Sequence, residues 1–472
     1  MATRHSMLLI GVSILLYSRW WIMEFKTPTF QKVDNPASFV DTLFSRVMNY
    51  NYIYALNCWI LLCPIWLCFD WSMGCVPLLS FDYHFIDPRV LAVLIFWIIL
   101  ITLIFRAFNS NLATSRLILM SLAFMIVPFS VASNLFFRVG FVIAERVLYI
   151  PSAGFCMLVS LGIHHISNYF KMRLLLYVSI FFLLTANISR CYQRSLDWKN
   201  ERTLFQSGLD VCPLNAKVHY NLAKTSLNHT EAIAHYREAI RLHPEYEQAM
   251  NNLANILRDE GNISEAESLL RKAVAIRPEF AAAWMNLGIV LSNMKRSDEA
   301  LECYKTALIH RKNYPDCYYN LGNLFLAKNK YAEAYAAWRQ ATTQKPTHSI
   351  AWNNMIVMLD SIGKLEEAKS MGLEALNGLP KDSALHFNLA NTLGKQGHYE
   401  EAEEHFKQAI KIRPGQALYH TNLGVLYHRW KRYTLAEEQY IMALKINQNL
   451  TNVVQNLKNV QKLISKMNLT LQ

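Results

Sequence analysis

The sequence predicts an all-α protein in two parts, a multipass transmembrane helical domain over residues 1–190 and an α-solenoid superhelix after it. Three observations predict this. Residues 1–190 carry 13 Lys/Arg and 7 Asp/Glu, while the remaining 282 residues carry 34 and 28, so the first part is half as charged as the second. The first part holds long uncharged apolar runs. The second repeats itself at a fixed interval of 34 residues. At 472 residues the chain also exceeds what one hydrophobic core usually serves.

A membrane-spanning helix needs about 20 mostly apolar residues. Six stretches meet or approach that length: 7–23, 52–69, 90–108, 117–136, 147–166 and 174–189. Trp20, Trp21, Trp71, Tyr149 and Tyr169 gather at their ends, as amphipathic rings do at membrane interfaces. With six spans, one set of connections carries Lys26, Lys32, Arg46, Arg106, Arg116, Lys171 and Arg173. The opposite set carries Arg4, Arg89, Arg138 and Arg146. Seven against four puts the first set in the cytosol by the positive-inside rule and the second half of the chain in the lumen. The N-x-S/T sequons at Asn228, Asn262, Asn449 and Asn468 all fall in that second half and are glycosylation candidates.

In the second half Asn stands at 221, 252, 286, 320, 354, 388, 422 and 456, an interval of 31 followed by six of 34. Pro lies eight residues before most of them, at 213, 244, 278, 346, 380 and 414, where it stops one helix and starts the next turn. Twenty of twenty-one positions where paired helices would touch are Gly or Ala, and only Ile356 departs. Aromatic residues such as Tyr236, Tyr304, Trp338, Phe406 and Tyr440 would fill the space between repeats. This pattern is that of tetratricopeptide (TPR) repeats. The domains expected are a linker over 191–214, seven TPR repeats over 215–450 and a capping helix over 451–472. TPR superhelices bind peptide or protein on their concave side. Asn221, Asn252, Asn286, Asn320, Asn354, Asn388 and Asn422 are thus peptide-binding candidates, since an amide both donates and accepts. The alternative is that Asn simply suits this helix.

Basic residues in the repeats alternate with acids, so no phosphate-tracking stripe forms and no nucleic-acid partner is expected. The nine cysteines form no CxxC pair and no Cys/His zinc spacing, so no metal site is expected. Cys191 with Cys212, or Cys303 with Cys317, are pairs an oxidising lumen would bridge; the plainer reading is free, buried thiols.

Three stretches resemble the transmembrane O-mannosyltransferase targeting cadherins (TMTC) family: 34–80, which is a domain particular to it, GFVIAERVLYIPSAGFC (140–156) and DWKNERTLFQSGLDVCPLNAKVHYNLAK (197–224). The resemblance implies a multipass endoplasmic-reticulum membrane enzyme of the GT-C type with lumenal repeats. Its lipid-linked donor would be dolichyl-phosphate mannose, its acceptors Ser/Thr of cadherin-type domains held on the TPR concave face, and no cofactor would reside in the chain. The acidic loop that such enzymes carry would lie upstream of Met1, so no residue here takes the role of catalytic base. A non-catalytic membrane-anchored TPR scaffold is the alternative. Asp70, Asp82 and Asp87 are loop carboxylates expected to be solvated. Glu145, Arg146 and Arg138, at a membrane boundary, are candidates for binding the donor phosphate, which a guanidinium matches in fork geometry.

Overall fold

The structure is a computed structural model that describes residues 2–25, 30–82, 85–169 and 173–470. The all-α expectation holds, with one exception: Phe81–Asp82 and Phe85–Ile86 form a short antiparallel pair. The chain divides into two compact units, residues 1–256 and 257–472, each described by itself below.

In the first unit the helices are α1 (Ala2–Ile22), α2 (Leu43–Leu62), α3 (Val90–Asn109), α4 (Leu112–Ser130), α5 (Tyr149–Tyr169), α6 (Arg173–Asp197) and α7 (Glu201–Val211). Among the described residues four helical segments, 90–109, 112–130, 145–167 and 174–197, are long and apolar enough to cross a membrane. This corrects the expectation of six. In α1 the apolar stretch is Leu9–Ile22, which is shorter and includes Arg19. The second expected span, 52–69, is not one helix. α2 starts earlier, at Leu43, and stops at Leu62, because Pro64 removes a backbone donor and holds Cys63 out of the helical region. Asn49, Asn51 and Asn57 also dilute its apolar character, each donating its Nδ2 to the carbonyl four residues back. α7 occupies much of the stretch expected as a linker.

Gly154 sets the crossing of α4 and α5. A Cβ there would lie 2.4 Å from the Ser121 carbonyl oxygen, and close backbone approach of this kind is what small residues permit in membranes.

The second corrected expectation concerns which side residues 30–62 occupy. Buried Asn35 donates its Nδ2 to the Val139 carbonyl (2.9 Å) and to Asn134 Oδ1 (3.0 Å). The Tyr54 hydroxyl donates to the Ser133 carbonyl (2.5 Å). Residues 131–148 join α4 to α5, so Lys32 and Arg46 share a side with that connection and, through the Cys75–Cys212 bridge, with the first repeat rather than opposing them. Lys26 and Lys171 lie outside the described residues.

The repeats are helix pairs: Ala216–Thr225 with His229–Leu242, then pairs beginning at Glu247, Ala281, Pro315, Ser349, Ser383 and Ala417. In the second unit, three repeats oppose a glycine on the first helix to an aromatic on the second. A Cβ on Gly288, Gly322 or Gly424 would fall 2.4–2.6 Å from Tyr304, Trp338 or Tyr440 respectively. Trp338 is fully buried and donates its indole N–H to the Tyr319 carbonyl (3.1 Å). The helix Thr451–Thr470 buries Val453 and Val460 against Tyr440, Ala443 and their neighbours.

Two repeats carry a histidine pair in the same register, His219 of the first being buried and the other three rings half-buried. His219 Nδ1 lies 3.0 Å from His235 Nδ1, and His386 Nδ1 lies 2.9 Å from His405 Nδ1. The other ring nitrogen of each first histidine meets a proline carbonyl, that of Pro213 or Pro380. Trp284 and Trp352 donate their indoles to Pro278 and Pro346 in the same way. A carbonyl only accepts, so Nε2 of His219 and His386 carries the proton and Nδ1 accepts from the second histidine. Burial, then the partner ring, lowers the pKa of His235 and His405 below the usual value. Around His235 stand Glu231, Glu238 and Arg202; around His405, Glu401 and Glu404. The unfolded chain therefore binds more protons than the folded one just below about pH 6.5, and stability rises with pH through that window. Thermal unfolding at pH 7.5 and pH 5.0 should show the repeats less stable at the lower value. His405→Gln, which copies the His420–Gln439 pair (2.9 Å) of the last repeat, should remove part of the difference. Identical midpoints at both pH values would show that the pairs do not titrate on unfolding.

Candidate functional site

Where the apolar helices end, the first unit builds a small platform from residues 34–80, the 131–148 connection, α7 and the first repeat. Ala37, Ile53, Ile60, Cys68, Trp71, Val142, Ile143, Leu148, Cys212, Val218 and Leu222 form one buried cluster. Phe69 meets Phe205 in a tilted ring contact (4.9 Å between ring centres), and Gly208 leaves room for it, since a Cβ there would lie 2.7 Å from the Phe69 ring. Asp70 pairs with Lys217 (2.6 Å), and its carbonyl accepts from Asn215 Nδ2 (2.9 Å). Cys75 and Cys212, 137 residues apart, form a disulfide. This corrects the reading of Cys212, which is neither free nor bridged to Cys191. Cys191, Cys303 and Cys317 are free.

The three boundary candidates part company here. Glu145 opens a 3-10 turn ahead of α5 and pairs with Arg194 of α6 (3.5 Å). Arg194 is buried, and also reaches Asp197 (3.4 Å) and the Ser207 hydroxyl (3.2 Å) and lies over the Trp198 ring. Arg138 lies over the Phe39 ring, 5.0 Å from its centre. Arg146 is exposed at the head of α5. Sequence reasoning misses the arginines of α6. Their signal is two arginines four residues apart straight after an apolar run, at 190 and 194. Arg190 donates to the Pro64 and Ile65 carbonyls, tying α6 to the break after α2.

The loop carboxylates are not simply solvated. Asp87 is buried and held by Arg89, whose guanidinium also donates to the Pro77 and Leu78 carbonyls. The Arg89 hydrogen bonds pull the Asp87 pKa down to about 2, which makes it a poor base. The Asp82 side chain lies outside the described residues.

The repeat asparagines bond from helix to helix. Asn252 donates to the Tyr220 hydroxyl (3.1 Å). Asn354, Asn388 and Asn422 donate to Asn323 (3.1 Å), Asn353 (2.6 Å) and Asn391 (2.9 Å) of the preceding repeat. Asn286 is buried; Asn221 and Asn320 are half-buried. A groove of about 370 Å3 lies over the first helices of the last three repeats, with Asn388, Asn391, Asn422, Lys395 and Arg429 at its edge. Of the sequons, Asn228, Asn262 and Asn449 are exposed at turns, while the Asn468 side chain lies outside the described set. Among the described residues, no cluster of three or more His, Cys, Asp or Glu is placed to hold a metal ion.

Comparison with known proteins places this geometry. Residues 24–101 match the family model "Protein O-mannosyl-transferase TMTC, DUF1736", and 227–323, 319–381 and 382–449 match tetratricopeptide repeat models. The chain is 51% identical over 238 residues to mouse (Mus musculus) protein O-mannosyl-transferase TMTC4, covering 50% of this chain and 32% of that relative. It is 42% identical over 246 residues to protein O-mannosyl-transferase F38B6.6 of Caenorhabditis elegans, covering 51% and 33%. Among solved structures it is similar to yeast Tom70 at 16% identity and a TM-score of 0.42, covering 57% of this chain and 58% of that one. The chain thus spans about a third of the length of the curated relatives it matches. The likeness to the TMTC family is borne out as a likeness: the family model matches residues 24–101, which include the stretch 34–80, and tetratricopeptide models match the repeats.

Proposed function

We propose that this chain works in a protein O-mannosyltransferase of the endoplasmic-reticulum membrane. It would take mannose from dolichyl-phosphate mannose to Ser/Thr hydroxyls of cadherin-type acceptors held by the lumenal repeats. The observation that carries the reading is 51% identity over half of this chain to a relative of that activity by name. The test is transfer of labelled mannose from dolichyl-phosphate mannose to a cadherin-type domain; no transfer above a repeat-only control counts against the reading.

Two features support the lumenal orientation. The connections at the far ends of the four apolar helices, 106–116 and 164–175, hold Arg106, Arg116, Lys171 and Arg173 and no acidic residue, as cytosolic connections do. The Cys75–Cys212 disulfide suits an oxidising compartment. In sealed microsomes the repeats should resist added protease, and Asn228, Asn262 and Asn449 should accept glycans. Digestion of the repeats in sealed vesicles reverses the orientation.

Arg146 is the residue proposed to meet the donor phosphate, being exposed beside an apolar helix end. A charge-assisted contact of this kind is worth about 1.5–3 kcal/mol, so Arg146→Ala should weaken donor binding about ten- to hundredfold. Arg146→Lys should restore part of it, since an ammonium lacks the planar fork. Unchanged donor affinity in folded Arg146→Ala would reduce this residue to a membrane anchor.

One observation favours the scaffold reading for this chain alone. Asp70, Asp87 and Glu145 are each held by a cation, Lys217, Arg89 and Arg194, rather than poised as a base. Robust transfer by the 472-residue chain by itself would sink that reading.

A further inference from the structure

The groove over the first helices of repeats five, six and seven is built in rows that cross the repeats at the 34-residue interval. Asn388 and Asn422 form an amide row; Val357, Asn391 and Val425 a mixed one; Lys395 and Arg429 a basic one. The two cations of the last row are treated differently by the chain. Lys395 is paired with Asp360 of the preceding repeat. Arg429 meets no such acid, because Gly394 stands where the register would put the equivalent of Asp360. Among the described residues no carboxylate is within ion-pair distance of Arg429, which is exposed. The same glycine lets Leu426 of the next repeat pack close beside it: a Cβ on it would lie 2.7 Å from Leu426 Cδ1.

We infer that this groove binds an extended acidic peptide segment, whose carboxylate pairs with Arg429 and so supplies the charge that Asp360 supplies to Lys395 one repeat earlier. The amide row gives such a segment backbone partners. Asn422 gives its N–H to Asn391 Oδ1, which leaves Asn391 its own two N–H donors and Asn422 its carbonyl. A peptide backbone offers the complementary groups at every residue, and the floor of Ile356, Ala390 and Leu426 suits small side chains between them. At about 370 Å3 the space accommodates a few residues rather than a folded domain. This deepens the reading that the repeats hold the acceptor: it assigns the place and the charge of the segment they grip.

The experiment is a binding titration on the full chain in detergent. The probe is a short amidated Gly/Ser peptide with a central Asp pair, compared with its Asn counterpart and with a free-acid version lacking Asp. The Asp peptide should bind at least about tenfold more tightly than the Asn peptide, as expected for a charge-assisted contact. The preference should fall as salt rises. Tighter binding of the free-acid version than of the Asp peptide would instead make the ligand a chain terminus and overturn the proposal of an internal acidic segment. Arg429→Ala should abolish the preference. Gly394→Asp, which restores the missing internal acid, should abolish it too, while Gly394→Asn, of equal bulk, should keep most of it. Equal loss in Gly394→Asp and Gly394→Asn would show that bulk alone closes the groove and would overturn the charge assignment, as would equal affinity for the Asp and Asn peptides. Helical circular dichroism checks that each variant is folded. If a cadherin-type acceptor fails to displace a bound Asp peptide, the site stands and the acceptor reading falls. If the acceptor binds the repeats but wild type does not distinguish Asp from Asn, the site falls and the acceptor reading stands.

Discussion

Cys75→Ala should lower the stability of the platform by about 2–5 kcal/mol, the usual effect of removing a native disulfide. The bond closes a loop of 137 residues that includes four apolar helices, so the unfolded chain gains much freedom when it is lost. Cys212 is buried, and its freed thiol would remain against the Phe69 and Phe205 cluster. Cys212→Ala should therefore cost about as much as Cys75→Ala. The double variant should add little to either, since both remove one constraint. The measurement is denaturant unfolding in detergent, together with maleimide labelling of denatured, unreduced protein. Wild type should show seven reactive thiols, the number of free cysteines, and Cys75→Ala one more in Cys212. Nine in wild type from oxidising membranes would show that the bridge does not form there.

The periodic features of this chain are legible in its sequence because each has a local cause. Proline at a fixed place ends a helix whatever surrounds it, and a glycine opposite Trp338 is demanded by the ring it faces. The repeats follow from such rules, and so do the helices at 90–109, 112–130, 145–167 and 174–197. What hydropathy does not tell is whether an apolar run is one element. In 52–69 the residues Ile65, Trp66 and Leu67 read as membrane, yet Pro64 has already ended the helix and the chain turns toward α7. Long-range partners are hidden for a different reason. Nothing near Cys75 in sequence names Cys212, and nothing near Glu145 names Arg194. Topology follows the same pattern. Charge counting puts Arg46 on the wrong side because its position depends on Asn35 reaching Val139, a contact 104 residues long.

The one departure in the small-residue pattern, Ile356, leads to the other large effect. By register, its partner position on the second helix of repeat five is residue 372, where repeats three, four and seven have Tyr304, Trp338 and Tyr440. Here it is Gly372. The large and small members have changed places. Ile356 is fully buried, and a Cβ on Gly372 would meet Leu389 at 3.0 Å. Ile356→Gly alone should cost about 3–5 kcal/mol, combining a core cavity with a helix-interior glycine. Gly372→Tyr alone should cost about 1–3 kcal/mol, because the ring enters a space already filled. Together they recreate the arrangement of Gly288 with Tyr304, so the double variant should be more stable than Ile356→Gly alone. The coupling should be favourable by about 2–3 kcal/mol in a double-mutant cycle read by denaturant unfolding. Additive losses would mean that the ring at 372 cannot reach the space Ile356 leaves. The exchange would then be a coincidence of register rather than a packing solution.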